Sequence, residues 1–98
     1  MTIQENRQDD ILIIALKGRL DTTTSPELDQ TLEKYDPSVN EIIFDFENLD
    51  YLSSAGLRVM LKAQKAMAGR RGILIRNASN LVMGVFQVTG FTDVLRFE

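Results

Sequence analysis

Ser53 and Ser54 stand in the segment Asp50-Tyr51-Leu52-Ser53-Ser54-Ala55-Gly56-Leu57-Arg58, where a strand and loop pass directly into a helix. Two hydroxyls in a first helical turn suit two kinds of chemistry. Ser53 or Ser54 as N-cap satisfies one of the orphan N–H groups at the helix start, a contribution of about 1 kcal/mol. Alternatively, a phosphoryl group on a serine there meets free N–H donors and the positive end of the helix dipole, so the modified chain stays folded. The sequence holds no His and no Cys, so nothing of the usual kind activates Ser54 as a nucleophile. It is better suited to be the substrate of another enzyme that supplies base, Mg²⁺ and ATP.

The same two absences remove whole classes of activity. Without Cys there is no disulfide framework, zinc thiolate site or iron–sulfur cluster, and without His there is no Ser-His-Asp triad. No cofactor is expected. A metal site would rest on carboxylates and suit Mg²⁺, Ca²⁺ or Mn²⁺. One such arrangement, Asp21, Asp45 and Ser54 around a divalent ion, defines an enzyme or nucleotide-binding alternative. It has no GxxxxGK[ST] or GxGxxG pattern behind it.

The elements that must position these residues are legible from periodicity. The chain has 98 residues, 44% of them hydrophobic, with 11 Lys+Arg against 14 Asp+Glu, which predicts one small α/β domain over residues 1–98. A polar edge strand over residues 2–8 turns at Asp9-Asp10 into the apolar run 11–16, a largely buried strand bounded by Gly18. Ser25-Pro26 predicts the start of a helix over about 26–35, which Asp36-Pro37 ends. Residues 42–46 form the next strand and the turn-prone Glu47-Asn48-Leu49-Asp50 leads to the serines. A helix then runs to Ala68, with Gly69 as its C-terminal cap and Gln64 as the polar interruption of its apolar face. Residues 73–75 are a strand, 80–88 a helix capped by Ser79 and closed by Gly90, and 93–97 a final strand. The order ββαβαβαβ implies a mixed, mostly parallel sheet with helices packed against it.

Charge is unevenly distributed. Residues 1–57 carry 12 acidic and 4 basic side chains, whereas residues 58–92 carry 6 basic and none acidic. The basic stretch reads as a solvated helix face at Arg58, Lys62 and Lys65, or as an attractor for an acidic partner. It lacks interleaved aromatics, so direct nucleic-acid binding is not expected. Residues 1–10 are polar and acidic, and no apolar run approaches the roughly 20 residues of a membrane span, so a cytoplasmic protein is expected.

These residues resemble the STAS domain family, in particular the bacterial anti-sigma factor antagonists. The resemblance is carried by Leu16-Lys17-Gly18-Arg19-Leu20-Asp21, Ile43-Phe44-Asp45-Phe46-Glu47-Asn48-Leu49, Ser53-Ser54-Ala55-Gly56-Leu57, Thr89-Gly90-Phe91 and Val94-Leu95-Arg96-Phe97-Glu98. It implies a protein that binds an anti-sigma factor, itself a serine kinase of the histidine-kinase-like ATPase fold, and so frees a sigma factor. Matching the family's glycine to Gly56 places the phosphoacceptor at Ser54, with Ser53 as the alternative, and a PP2C-like serine phosphatase would reset it. Two positions depart from the family pattern: Ser53 stands where an Asp is frequent, and Ala55 where a second hydroxyl is expected.

The implied partner-binding residues are Asp21, Thr22, Ser53, Ala55, Gly56 and Arg58. Asp21 also reads as an Asx-turn residue helping to start the first helix, and Arg58 as a solvated arginine. Asp45, inside an apolar strand, needs hydrogen-bond partners and is expected to support the Ser54 loop. A non-switching STAS subunit of a transporter or signalling assembly is the competing function.

Overall fold

The computed structural model of the chain describes residues 1–35 and 37–98. Along these residues run β1 (Thr2–Gln8), β2 (Ile11–Leu20), α1 (Ser25–Glu33), β3 (Glu41–Leu52), α2 (Ser54–Ala66), β4 (Gly72–Arg76), α3 (Asn80–Thr89) and β5 (Arg96–Phe97). The order is the expected ββαβαβαβ. The strands lie side by side as β1-β2-β3-β4-β5, with β1 antiparallel to β2 and every other pair parallel. Each parallel connection passes through a helix and steps in the same direction, and right-handed crossovers place α1, α2 and α3 on one face of the sheet.

Period-two alternation decides what that face buries. Leu12, Ile14 and Leu16 of β2 join Phe44 and Phe46 of β3 and Ile73 and Ile75 of β4 beneath the helices. Leu28 of α1, Leu57 and Met60 of α2, and Val82 and Phe86 of α3 close the core from above. The intervening Ile11, Ile13 and Ala15 are half-buried on the other face.

The boundaries depart from expectation where pairing outweighs local propensity. β2 does not stop at Gly18; the glycine takes φ +104 and the strand continues to Leu20 through two register shifts. β3 likewise runs through the turn-prone residues 47–50, because Asn48, Leu49, Tyr51 and Leu52 pair with the extension of β2 and bury Leu49 and Leu52. Strand propensity is a property of the fitted surface more than of the residue. The last strand is correspondingly shorter than expected, since Phe91–Asp93 turns as a 3-10 helix and leaves only Arg96–Phe97 to pair with β4. α1 ends at Glu33; the expected stop at Asp36 lies outside the described residues.

Two polar details explain themselves once the fold is known. Gln64 interrupts the apolar face of α2 because its side-chain oxygen accepts the Ile73 N–H at 2.9 Å. The basic stretch faces the acidic one: Lys62 bridges Asp29 and Glu33 at 3.0 and 3.2 Å, and Arg71 reaches Asp10 at 3.1 Å and Glu41 at 3.6 Å. Arg70 donates to the Val39 carbonyl oxygen at 3.0 Å. Of the six cations between residues 58 and 92, Arg58, Lys65 and Arg70 have no ion pair among the described residues.

Candidate functional site

β2 and β3 are parallel and end together, so α1 and α2 begin side by side at one edge of the sheet. The edge is stitched by the Ser53 N–H, which donates to the Leu20 carbonyl oxygen at 2.9 Å. Beyond Leu20 the chain closes a tight turn. One Asp21 carboxylate oxygen accepts the N–H groups of Thr23 and Thr24 at 3.0 and 3.1 Å, while Thr24 Oγ1 donates to the Arg19 carbonyl oxygen at 2.7 Å. The Asp21 N–H in turn donates to Thr24 Oγ1 at 2.9 Å. This is the Asx-turn geometry that starts α1. The N-cap is Thr24, with Ser25 as the first helical residue and its hydroxyl donating to the Asp21 carbonyl oxygen.

These bonds also set the charge of Asp21. The Thr24 N–H, seconded by the Thr23 N–H, the Thr24 hydroxyl and the Arg19 guanidinium 3.7 Å away, holds its carboxyl below the usual carboxylate range against the opposing effect of desolvation. Asp21 is therefore an anion at neutral pH.

At the start of α2 the capping reading does not survive. Ser53 occupies the N-cap position with extended backbone, φ −98 and ψ 174, yet neither it nor Ser54 makes a side-chain cap bond. The Ser53 hydroxyl is buried with no hydrogen-bond partner among the described residues. A capping Ser loses about 1 kcal/mol on truncation to Ala. An orphaned buried hydroxyl carries a desolvation cost instead, so Ser53→Ala is expected to be neutral or stabilising by up to about 1 kcal/mol. Urea denaturation checks this, and a loss of 1 kcal/mol or more would restore the cap.

Ser54, the first residue of α2, is exposed, as are Thr22 and Arg58, while Ala55 is half-buried. Gly56 differs from the other residues expected to meet a partner, because it is buried. A Cβ at this position would lie 2.7 Å from Leu52 Cδ1 and 2.8 Å from Leu20 Cγ. The missing side chain is what lets the first turn of α2 sit against the two strand ends. Gly56→Ala is expected to destabilise the fold by about 1–2 kcal/mol, overpacking exceeding the gain in helix propensity. That corresponds to a fall of roughly 5–10 °C in Tm. A Tm at or above that of the unsubstituted protein would overturn the packing role.

Asp45 is not part of this edge network. Its carboxylate accepts the Glu47 N–H and the Asn77 side-chain amide, both at 3.1 Å, and so ties β3 to the residue following β4. The expectation that it supports the Ser54 loop is corrected accordingly. Among the described residues no three His, Cys, Asp or Glu side chains are grouped to hold a metal.

Sequence reasoning missed Arg19 and Tyr51. They are paired across β2 and β3, and the Arg19 guanidinium carbon lies 4.1 Å from the centroid of the Tyr51 ring. The signal was the alternation Arg19-Leu20 and Tyr51-Leu52, exposed then buried, legible only if both strands are carried to their true ends.

The site is an exposed serine at a helix start, carried by an open α/β sheet. The chain belongs to the STAS domain family, whose model matches residues 2–98. It is 30% identical over 96 residues to BtrV of Bordetella bronchiseptica, provisionally named an anti-sigma factor antagonist, covering 96% of this chain and 83% of that protein. It is 26% identical over 96 residues to the anti-sigma-B factor antagonist of Listeria monocytogenes, covering 96% and 84%. The fold matches the anti-sigma factor antagonist SpoIIAA in its unphosphorylated form with a TM-score of 0.82 at 22% identity, over 99% of this chain and 88% of that one. The phosphorylated form from Bacillus superposes with a TM-score of 0.76 over 99% and 91%, again at 22% identity. Antagonists of this family are regulatory binding proteins and not enzymes. No helix among the described residues is long and apolar enough to cross a membrane.

Proposed function

We propose that this chain is an anti-sigma factor antagonist that engages its partner through the edge where β2 and β3 end and α1 and α2 begin. The partner is an anti-sigma factor with serine kinase activity and a histidine-kinase-like ATPase fold. It phosphorylates Ser54, the complex separates, and a PP2C-like phosphatase restores the binding form in the cytoplasm. The observation that carries this reading is Ser54 itself, exposed at the first position of α2 beside the locked Asp21 turn. Asp21, Thr22, Ser53, Ala55 and Arg58 form the surrounding contact surface, and Gly56 holds it in shape from beneath.

Phosphorylation acts here through charge. The phosphate adds about −1.5 to −2 charges at a surface that must lose its water on binding, next to an aspartate that is already ionised. At the same time the amides at the start of α2 and the helix dipole favour the phosphate, so the domain keeps its fold.

The test is affinity capture from the host's lysate with unsubstituted, Ser54→Ala and Ser54→Asp baits, the retained proteins being identified by mass spectrometry. Capture of an ATPase-fold kinase by the first two and its loss from the third is the expected result. Retention of a permease or scaffold by all three would replace this reading with that of a constitutive subunit.

A further inference from the structure

Arg19 and Tyr51 lie at the same sheet edge as Ser54 but turn away from the core into which Leu20 and Leu52 point. Two sides of the guanidinium are already occupied. The ring of Tyr51 covers one face at 4.1 Å, and the Asp21 carboxylate stands 3.7 Å from Nε. Asp21 cannot swing freely, since its other oxygen is held by the Thr23 and Thr24 amides. The remaining edge of the guanidinium, Nη1 and Nη2, has no hydrogen-bond partner among the described residues, and the Arg19 side chain is 61% exposed. Tyr51 is 37% exposed.

An arginine fixed on one face and one side presents its remaining N–H groups as a preformed fork, the geometry that binds a carboxylate through two parallel hydrogen bonds. Holding the side chain in advance removes part of the ordering entropy that an exposed arginine otherwise loses on binding. Arg and Tyr are also the residue types that most often carry binding energy at interfaces. Arg58 offers the contrast: it is exposed on the adjoining helix and has neither a ring nor an ion pair to orient it.

We propose that Arg19, stacked on Tyr51 and steered by Asp21, is a docking fork for an acidic side chain of the anti-sigma factor, an inference that rests on the function proposed above. The fork gives Asp21 a second task besides starting α1. Lysine does not replace the arginine, because a point charge on a flexible stem neither stacks flat nor forms the bidentate pair.

Two measurements on the intact chain test it. In the first, the Nε–Hε resonances of Arg19 and Arg58 are followed while acetyl-Glu-Glu-amide is added. The Arg19 signal is expected to saturate at about fivefold lower peptide concentration than that of Arg58, and Tyr51→Ala is expected to abolish the difference. Equal responses from the two arginines would overturn the fork. In the second, calorimetric titration with the anti-sigma factor kinase is expected to show affinity about tenfold or more weaker for Arg19→Ala and Arg19→Lys. Affinity for Arg19→Ala within about twofold of the unsubstituted protein would overturn it. If no such kinase binds the unsubstituted chain, the proposed function falls, and the peptide titration alone decides whether the fork exists.

Discussion

Phosphorylation of Ser54 is expected to weaken binding to the anti-sigma factor kinase by about a hundredfold, equivalent to roughly 2.8 kcal/mol. The size follows from where the charge is placed. An exposed phosphoserine keeps its hydration shell in the free protein, where the α2 amides also favour it, and must give up that shell when the edge is covered. Asp21 on the neighbouring turn stays ionised because the Thr24 and Thr23 amides hold its carboxyl below the usual range, so the new charge adds to an existing one. Ser54→Asp carries less charge at a shorter reach, so a loss of about tenfold is expected of it. Ser54→Ala should bind like the unsubstituted protein.

Calorimetric titration of the phosphorylated and unphosphorylated chains measures the effect, and thermal denaturation of the same samples separates its causes. A Tm within a few degrees of the unmodified protein, with the affinity lost, is the signature of charge at a contact. Equal affinities would remove the switch. A Tm lowered by about 10 °C or more would instead mean that the phosphate disturbs the fold, contrary to the accommodation expected at a helix N-terminus.

Much of this edge could be read from residue types because the relevant forces are local. Ser79 before α3 accepts the Val82 N–H at 3.2 Å, and Gly90 after it takes φ +78, as the punctuation of that segment predicts. The apolar runs at residues 11–16 and 42–46 likewise announced two strands, the first of them largely buried. Asp21 as a turn residue was legible in the same way.

What could not be read depends on register across parallel strands, which crossover packing determines and no short stretch of sequence encodes. Residues 47–50 look like a turn until β2 is known to extend beside them. Asp45 could have served the Ser54 loop until Asn77 is known to arrive within 3.1 Å of it. Gly56 is expected among the partner-facing residues and is buried in the structure, a distinction that rests on Leu20 and Leu52 lying beneath it. The Ser53 hydroxyl reads as a cap and is an orphan, buried without a hydrogen-bond partner among the described residues.

Phe86→Ala is expected to destabilise the domain by about 3–5 kcal/mol, as full truncation of a buried aromatic does when the cavity cannot collapse. Phe86 is completely buried, stacks on Phe46 with ring centroids 6.4 Å apart, and meets Phe97 edge-on at 5.0 Å. It therefore joins α3 to β3 and to the two-residue strand β5, which is also held by backbone pairing with β4 and by the Arg96–Glu41 ion pair. A domain of this size has about 5–15 kcal/mol of stability in all, so the substitution takes a large share and should lower Tm by roughly 15–30 °C. The effect on function is expected to be different in kind. The Ser54 edge is built from β2, β3 and the first turns of α1 and α2, with Gly56 seated on Leu20 and Leu52, and none of these contacts passes through Phe86. At a temperature well below the lowered Tm, affinity for the kinase should stay within about threefold of the unsubstituted value, and phosphorylation of Ser54 should still release it. Denaturation and calorimetric titration of the one variant measure both halves. Loss of affinity in the folded Phe86→Ala protein would mean that α3 and β5 belong to the partner surface, and that the edge beside Ser54 is only part of it.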